Sequence, residues 1–155
     1  MPAELRAADD RWAERLHDSF ARQAAMRTLG VGIAEAGPGR VVLEMSHRDD
    51  LTQQHGFLHA GIVSTALDSA CGYAAFTLMP PDAAVLTIEF KVNLLAPARG
   101  PRLRFEGRVT KAGRTISVVD AQAFQSDPAD PGAEPRLCAT MTATVMTVLG
   151  RGIGG

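Results

Sequence analysis

The chain has 155 residues, of which 46% are apolar and 21% charged, with a formal net charge of −1. That is the size and balance of one soluble domain with enough chain for a core. A near-neutral charge without a lysine or arginine cluster excludes an electrostatic nucleic-acid binder. Two cysteines, Cys71 and Cys138, without CxxC or metal-ligand spacing, point to a reduced, cytoplasmic protein rather than a disulfide scaffold.

The N-terminus, MPAELRAADDRWAERLHD, is too charged for a signal peptide. Residues 4–29 read as an amphipathic helix: Trp12, Leu16 and Phe20 recur every four residues on one side, and Gly30 is a C-terminal stop. Val31–Ala36 and Arg40–Ser46 are β-type runs around a Gly37-Pro38-Gly39 turn, and the polar stretch 47–56 is loop. The longest apolar run, Ala60–Met79, approaches the length of a membrane span. Asp68, its hydroxyls and its glycines, with no basic flanks, make it a core helix instead. Pro80-Pro81-Asp82 stops it.

Strand character returns at Val85–Leu95, where alternation puts Val85, Thr87 and Glu89 on one face. Leu103–Thr110 and Thr115–Gln125 form a hairpin about Lys111–Arg114, residues 126–136 are a longer loop, and Leu137–Leu149 closes the domain. The tail 150–155 is expected to be disordered. One long apolar helix among about five hairpin-connected strands predicts an α+β fold, an antiparallel sheet curled around that helix. Such a sheet leaves a face or an edge that needs a partner, so a homodimer is expected.

A carboxylate inside an apolar helix costs several kcal/mol unless it is paired, hydrogen-bonded or neutralised. At 100° per residue, Gly61, Ser64, Thr65, Cys71, Gly72 and Ala75 fall within about 60° of Asp68, a thin face that a ligand or another backbone can approach. Asp68 is then either an interface aspartate satisfied by hydroxyls, Ser64 and Thr65 among them, or a general base or nucleophile in a cleft between subunits. Composition alone weighs the two evenly. Gln53, Gln54, His55 and His59 place polar side chains at the helix N-terminus, where free N–H groups and the dipole suit a developing oxyanion.

His59-Ala60-Gly61 followed by Asp68 in STALDSACGYAA resembles the HGG…D signature of PaaI-type hotdog-fold thioesterases. VLTIEFKVNLLAPARG (85–100) and GRVTKAGRT resemble that family's later segments. The resemblance spans residues 30–149, leaving the N-terminal helix 1–29 and the tail 150–155 outside. It implies a hotdog domain that hydrolyses a small or medium acyl-CoA, aromatic acyl groups included, without metal or cofactor and away from nucleic acid and membrane. Asp68 would activate water or attack the thioester. The N–H groups of Ala60 and Gly61 would polarise the carbonyl, Thr87 would hold the water, and Gln53, or Gln54 as a near alternative, would stand where many members carry asparagine. His55, His59, Phe57 and, through the CoA phosphates, Arg114 with Lys111 would contact substrate. The site would lie between the chains of a homodimer, often paired into a homotetramer. Two departures stand out: Ala60 replaces a glycine, which is unfavourable if the turn needs positive φ, and Gln53 lengthens the reach.

A thiol leaves with a pKa near ~8.5, so the reaction needs an activated water and an oxyanion donor more than an acid. His55 and His59 lack the HExxH glutamate of a zinc site. His59 and Cys71 stand about 18 Å apart along a helix, which makes Cys71 a buried structural thiol. His17 and His47 read as surface residues. A hydroxyacyl-thioester dehydratase and a non-catalytic acyl-CoA-binding protein are the alternative functions; the HFPG and D…H patterns of the former are absent.

Overall fold

The computed structural model describes residues 4–127 and 129–155; residues 1–3 of the expected N-terminal segment and residue 128 of the expected 126–136 loop lie outside them. Six strands form one antiparallel sheet in the order β1-β2-β4-β5-β6-β3. They are β1 (Gly32–Gly37), β2 (Arg40–Ser46), β3 (Ala84–Leu94), β4 (Arg102–Lys111), β5 (Ile116–Gln125) and β6 (Arg136–Val148). The long apolar helix, α3 (Ala60–Phe76), connects β2 to β3 and lies across one face of the sheet. The predicted α+β hotdog architecture is therefore observed.

Alternation explains the layers. Along β4, Leu103, Phe105 and Gly107 are buried while their neighbours are not, and along β5 Val119, Ala121 and Ala123 do the same. Their inward side chains meet Val63, Ala66, Leu67 and Ala70 of α3, all at most 1% exposed. Gly107 is required there, because a Cβ would stand 2.4 Å from the Ala70 carbonyl oxygen. The outer face is polar and self-satisfied. Arg40 bonds Glu35 and Glu106, Arg104 bonds Glu35 and Glu44, and Asp120 accepts from Thr110 and Thr142.

Three expectations are corrected. The N-terminal helix is two helices, α1 (Trp12–Arg22) and α2 (Ala24–Leu29), broken at Gln23, whose ψ of 94° is extended. α3 ends at Phe76, before the prolines. The Thr77 hydroxyl bonds the Ala74 carbonyl at 2.7 Å, and Arg15 of α1 donates to the Met79 carbonyl at 2.9 Å, a cation at a helix C-terminus. The tail 150–155 packs: the Gly155 N–H donates to the Ala83 carbonyl at 3.1 Å, and Arg22 donates to the Gly155 carbonyl.

Candidate active site

Asp68 lies at the middle of α3, half-buried, and accepts a 2.8 Å hydrogen bond from the Thr87 hydroxyl of β3. Ser64 and Thr65 do not serve it. Their hydroxyls bond the carbonyls of Ala60 and Gly61 at 2.8 and 2.7 Å, a turn back in their own helix. Burial pushes the Asp68 pKa above its ordinary value, and the Thr87 bond opposes part of that rise. A cavity of about 340 Å³ opens beside the pair.

Thr87 reaches Asp68 because β3 is bulged. Thr87 pairs with the inward Val145, whereas Glu89 pairs with the outward Thr144 and accepts its hydroxyl, so Ile88 is the extra residue. Simple alternation put Thr87 and Glu89 on one face; the bulge separates them and corrects that expectation. Bulges commonly re-aim a side chain in this way.

The N-terminus of α3 is the second half of the arrangement. His59 caps the helix through its ring, with Nδ1 accepting from the Gly61 N–H at 2.8 Å. That occupies one of the two expected oxyanion donors. The Ala60 N–H has no partner among the described residues. No non-glycine residue has positive φ among the described residues, so alanine for glycine at position 60 carries no backbone strain.

Gln53 braces this end. Its side-chain oxygen accepts from the backbone N–H of His55 and, at 3.4 Å, of Phe57, and its own N–H donates to the Phe57 carbonyl. Gln53, Phe57, Ala60, Leu94 and Cys138 line a mostly apolar cavity of about 350 Å³. Gln54 and His55 are exposed at the loop tip.

Asp68 and Ala60 are eight residues apart, about 12 Å along the helix. A water on Asp68 and a carbonyl oxygen on the Ala60 N–H must each be within about 3 Å of their partners, so one chain does not bring them onto one thioester. Arg114 lies with Met79 and Pro80 at the far end of α3, apart from both halves. Cys71 is fully buried, its thiol pushed well up by burial, and Cys138 is pushed up to about 11 by the same cause; neither is a ready nucleophile. His47, expected at the surface, is half-buried, with its Nε2 unpartnered among the described residues.

What the sequence missed is Gln23, Ser19 and Tyr73, which line the cavity beside Asp68 together with Ser69. The only available signal was a polar Ser19 and Gln23 flanking the apolar stripe of the first helix. No helix of the described residues is long and apolar enough to cross a membrane.

The thioesterase superfamily model matches residues 55–131, the stretch from the Gln53-braced loop through β5. A solved structure of a thioesterase family protein from Silicibacter pomeroyi is 57% identical, with a TM-score of 0.85, covering 90% of this chain and 99% of that one. Human acyl-coenzyme A thioesterase 13 is 27% identical over 95 residues, which is 60% of this chain and 67% of that protein. The E. coli PaaI protein, from the phenylacetic acid degradation operon, shares the fold at 17% identity and a TM-score of 0.78, covering 89% of this chain and 94% of its own. With the hotdog architecture and this similarity together, the chain belongs to the thioesterase superfamily and is a thioester hydrolase.

Proposed function

We propose that the protein hydrolyses a small or medium acyl-CoA, aromatic acyl groups included, at a site shared by two copies of the chain. Asp68, held by Thr87, is the general base or nucleophile. The Ala60 N–H of the other copy, left free because His59 caps Gly61 instead, polarises the thioester carbonyl. The observation that carries this reading is the division of the parts along α3: a carboxylate with a hydroxyl at its middle, and a free donor about 12 Å away at its N-terminus. A second copy in antiparallel register brings the two together. The edge strand β3 supports that pairing, since its other side is unpaired and Leu86, Ile88 and Phe90 are 51%, 53% and 43% exposed. The assembly we propose is a homodimer, or two such dimers paired into a homotetramer, in the cytoplasm. Acyl transfer to water from a thiol leaving group needs only these parts, and no cofactor enters the reading.

The decisive experiment mixes two inactive variants and follows CoA release from a panel of acyl-CoAs. Asp68→Asn removes the base. Ala60→Pro removes only the N–H, at the first helical position, where proline is tolerated and where the extended His59 (φ −60°, ψ 139°) suits a following proline. In a randomly reassorted dimer, half the pairs are mixed and one of their two sites is intact, so about a quarter of wild-type activity should return. No recovery after unfolding and co-refolding would refute the shared site.

A further inference from the structure

The Ala60 half of the site has a brace that comes from the end of β5. Gln125, the last residue of that strand, is only 4% exposed, and its amide serves three backbone groups of the connection between β3 and β4. Its Oε1 accepts from the Arg99 and Gly100 N–H groups at 2.9 and 2.8 Å, and its Nε2 donates to the Pro97 carbonyl at 3.0 Å. Gly100 permits this approach, since a Cβ there would strike the Ser126 carbonyl oxygen. From Pro97 to Gly100, the backbone's other hydrogen bond among the described residues is the one that the Ala98 carbonyl accepts from the Leu58 N–H at 2.8 Å.

That bond joins the brace to the site. Leu58 lies two residues before Ala60, and His59 between them caps α3. Ala96, Pro97 and Ala98 line the apolar cavity of about 350 Å³ together with Phe57 and Ala60. This geometry needs an amide, which accepts and donates at once. A carboxylate would set an oxygen against the Pro97 carbonyl, and an apolar side chain would leave all three buried groups without their partner. An oxyanion donor works by being in place before the reaction, and a misplacement of about 1 Å can cost about a hundredfold in rate.

We propose that Gln125 is a positioning residue for thioester hydrolysis: by holding the Pro97–Gly100 loop against Leu58, it sets where the Ala60 N–H meets the thioester carbonyl oxygen. This rests on the role given to Ala60 in the shared-site reading. Gln125 itself touches no reacting atom.

The test compares CoA release by Gln125→Met and Gln125→Glu, each in the wild-type and Ala60→Pro backgrounds, on full-length variants shown to be folded by circular dichroism. Gln125→Met should lower kcat about ten- to hundredfold with KM little changed, because alignment of the donor matters most in the transition state. Gln125→Glu keeps both accepted bonds and loses the donated one. It should fall between, and it carries the comparison if the methionine variant does not fold. On the residual turnover of Ala60→Pro, where the N–H is already gone, either substitution should cost about twofold or less. The acid limb of the pH profile, which belongs to Asp68, should not move. A kcat within about twofold of wild type in the folded variants overturns the proposal. So does an equal loss in the Ala60→Pro background, which would make Gln125 a structural residue only. Hydrogen exchange needs no substrate: the Leu58 amide should exchange at least about tenfold faster in the variants, with amides at the middle of α3 unchanged. Unaltered Leu58 exchange also overturns the proposal. Absence of hydrolysis by the wild-type chain would refute the hydrolase reading, while Leu58 exchange still decides whether Gln125 braces this end of the helix.

Discussion

Asp68 is half-buried on an apolar helix with one hydrogen bond, from Thr87, and both facts set its chemistry. Burial raises its pKa, so between the ordinary aspartate value and the raised one the folded chain keeps a proton that the unfolded chain has released. Stability therefore falls as pH rises through that window and stays lower above it. Asp68→Asn, uncharged at every pH, should be more stable than wild type at neutral pH, with the gap closing as pH falls through that window and gone below about 3.9. Urea unfolding at neutral and acid pH measures this. The same substitution should cost on the order of 10²–10⁴ in turnover, and the acid limb of the wild-type profile should lie above the ordinary aspartate pKa. Under the proposed mechanism, in which both side chains act on one water, Thr87→Val should lower turnover roughly three- to tenfold, and much less in the Asp68→Asn background. A loss of equal size in both backgrounds would make Thr87 an ordinary strand residue.

At the scale of elements, two local irregularities place that pair. The Ile88 bulge turns Thr87 toward the helix while Glu89 points outward to Thr144. Gly107 lets α3 sit close to β4, since a Cβ there would stand 2.4 Å from the Ala70 carbonyl oxygen. Gly107→Ala meets backbone rather than a movable side chain, so α3 or β4 must shift. A loss of about 1–3 kcal/mol is expected, and denaturant titration checks it. α1 contributes from outside the sheet-and-helix unit: Arg15 caps the end of α3 and lies 5.1 Å over the Phe76 ring, while Phe20 packs against Tyr73 at 5.4 Å.

For the whole molecule, the sheet's two faces differ. The outer face is laced with ion pairs and Thr–Asp bonds, and α3 covers the middle of the inner one. The edge of β3 remains, with exposed apolar side chains beside an unpaired backbone. Under the shared-site proposal that edge is where two copies join. Phe90→Lys should therefore give a folded monomer that has lost hydrolysis, seen by light scattering alongside CoA release. A Phe90→Lys protein that is still oligomeric and fully active would move the interface elsewhere.

The helix, the strands and their hydrophobic periods were legible in the sequence, because burial on one face imposes a period that local reading detects. Asp68 was legible for the opposite reason, as a charge where that period demands an apolar residue. So was the HAG…D spacing on which the family resemblance rests. Three things were decided only by the tertiary structure. The Ile88 bulge depends on how β3 pairs with β6, and no single-strand pattern carries it. Which of the Ala60 and Gly61 N–H groups stays free depends on the rotamer of His59, whose ring reaches back to Gly61. The break at Gln23 leaves the Trp12–Leu16–Phe20 stripe intact, so periodicity ran through it as one helix. Only the bond between its amide oxygen and the Ser69 hydroxyl shows why a polar side chain stands there.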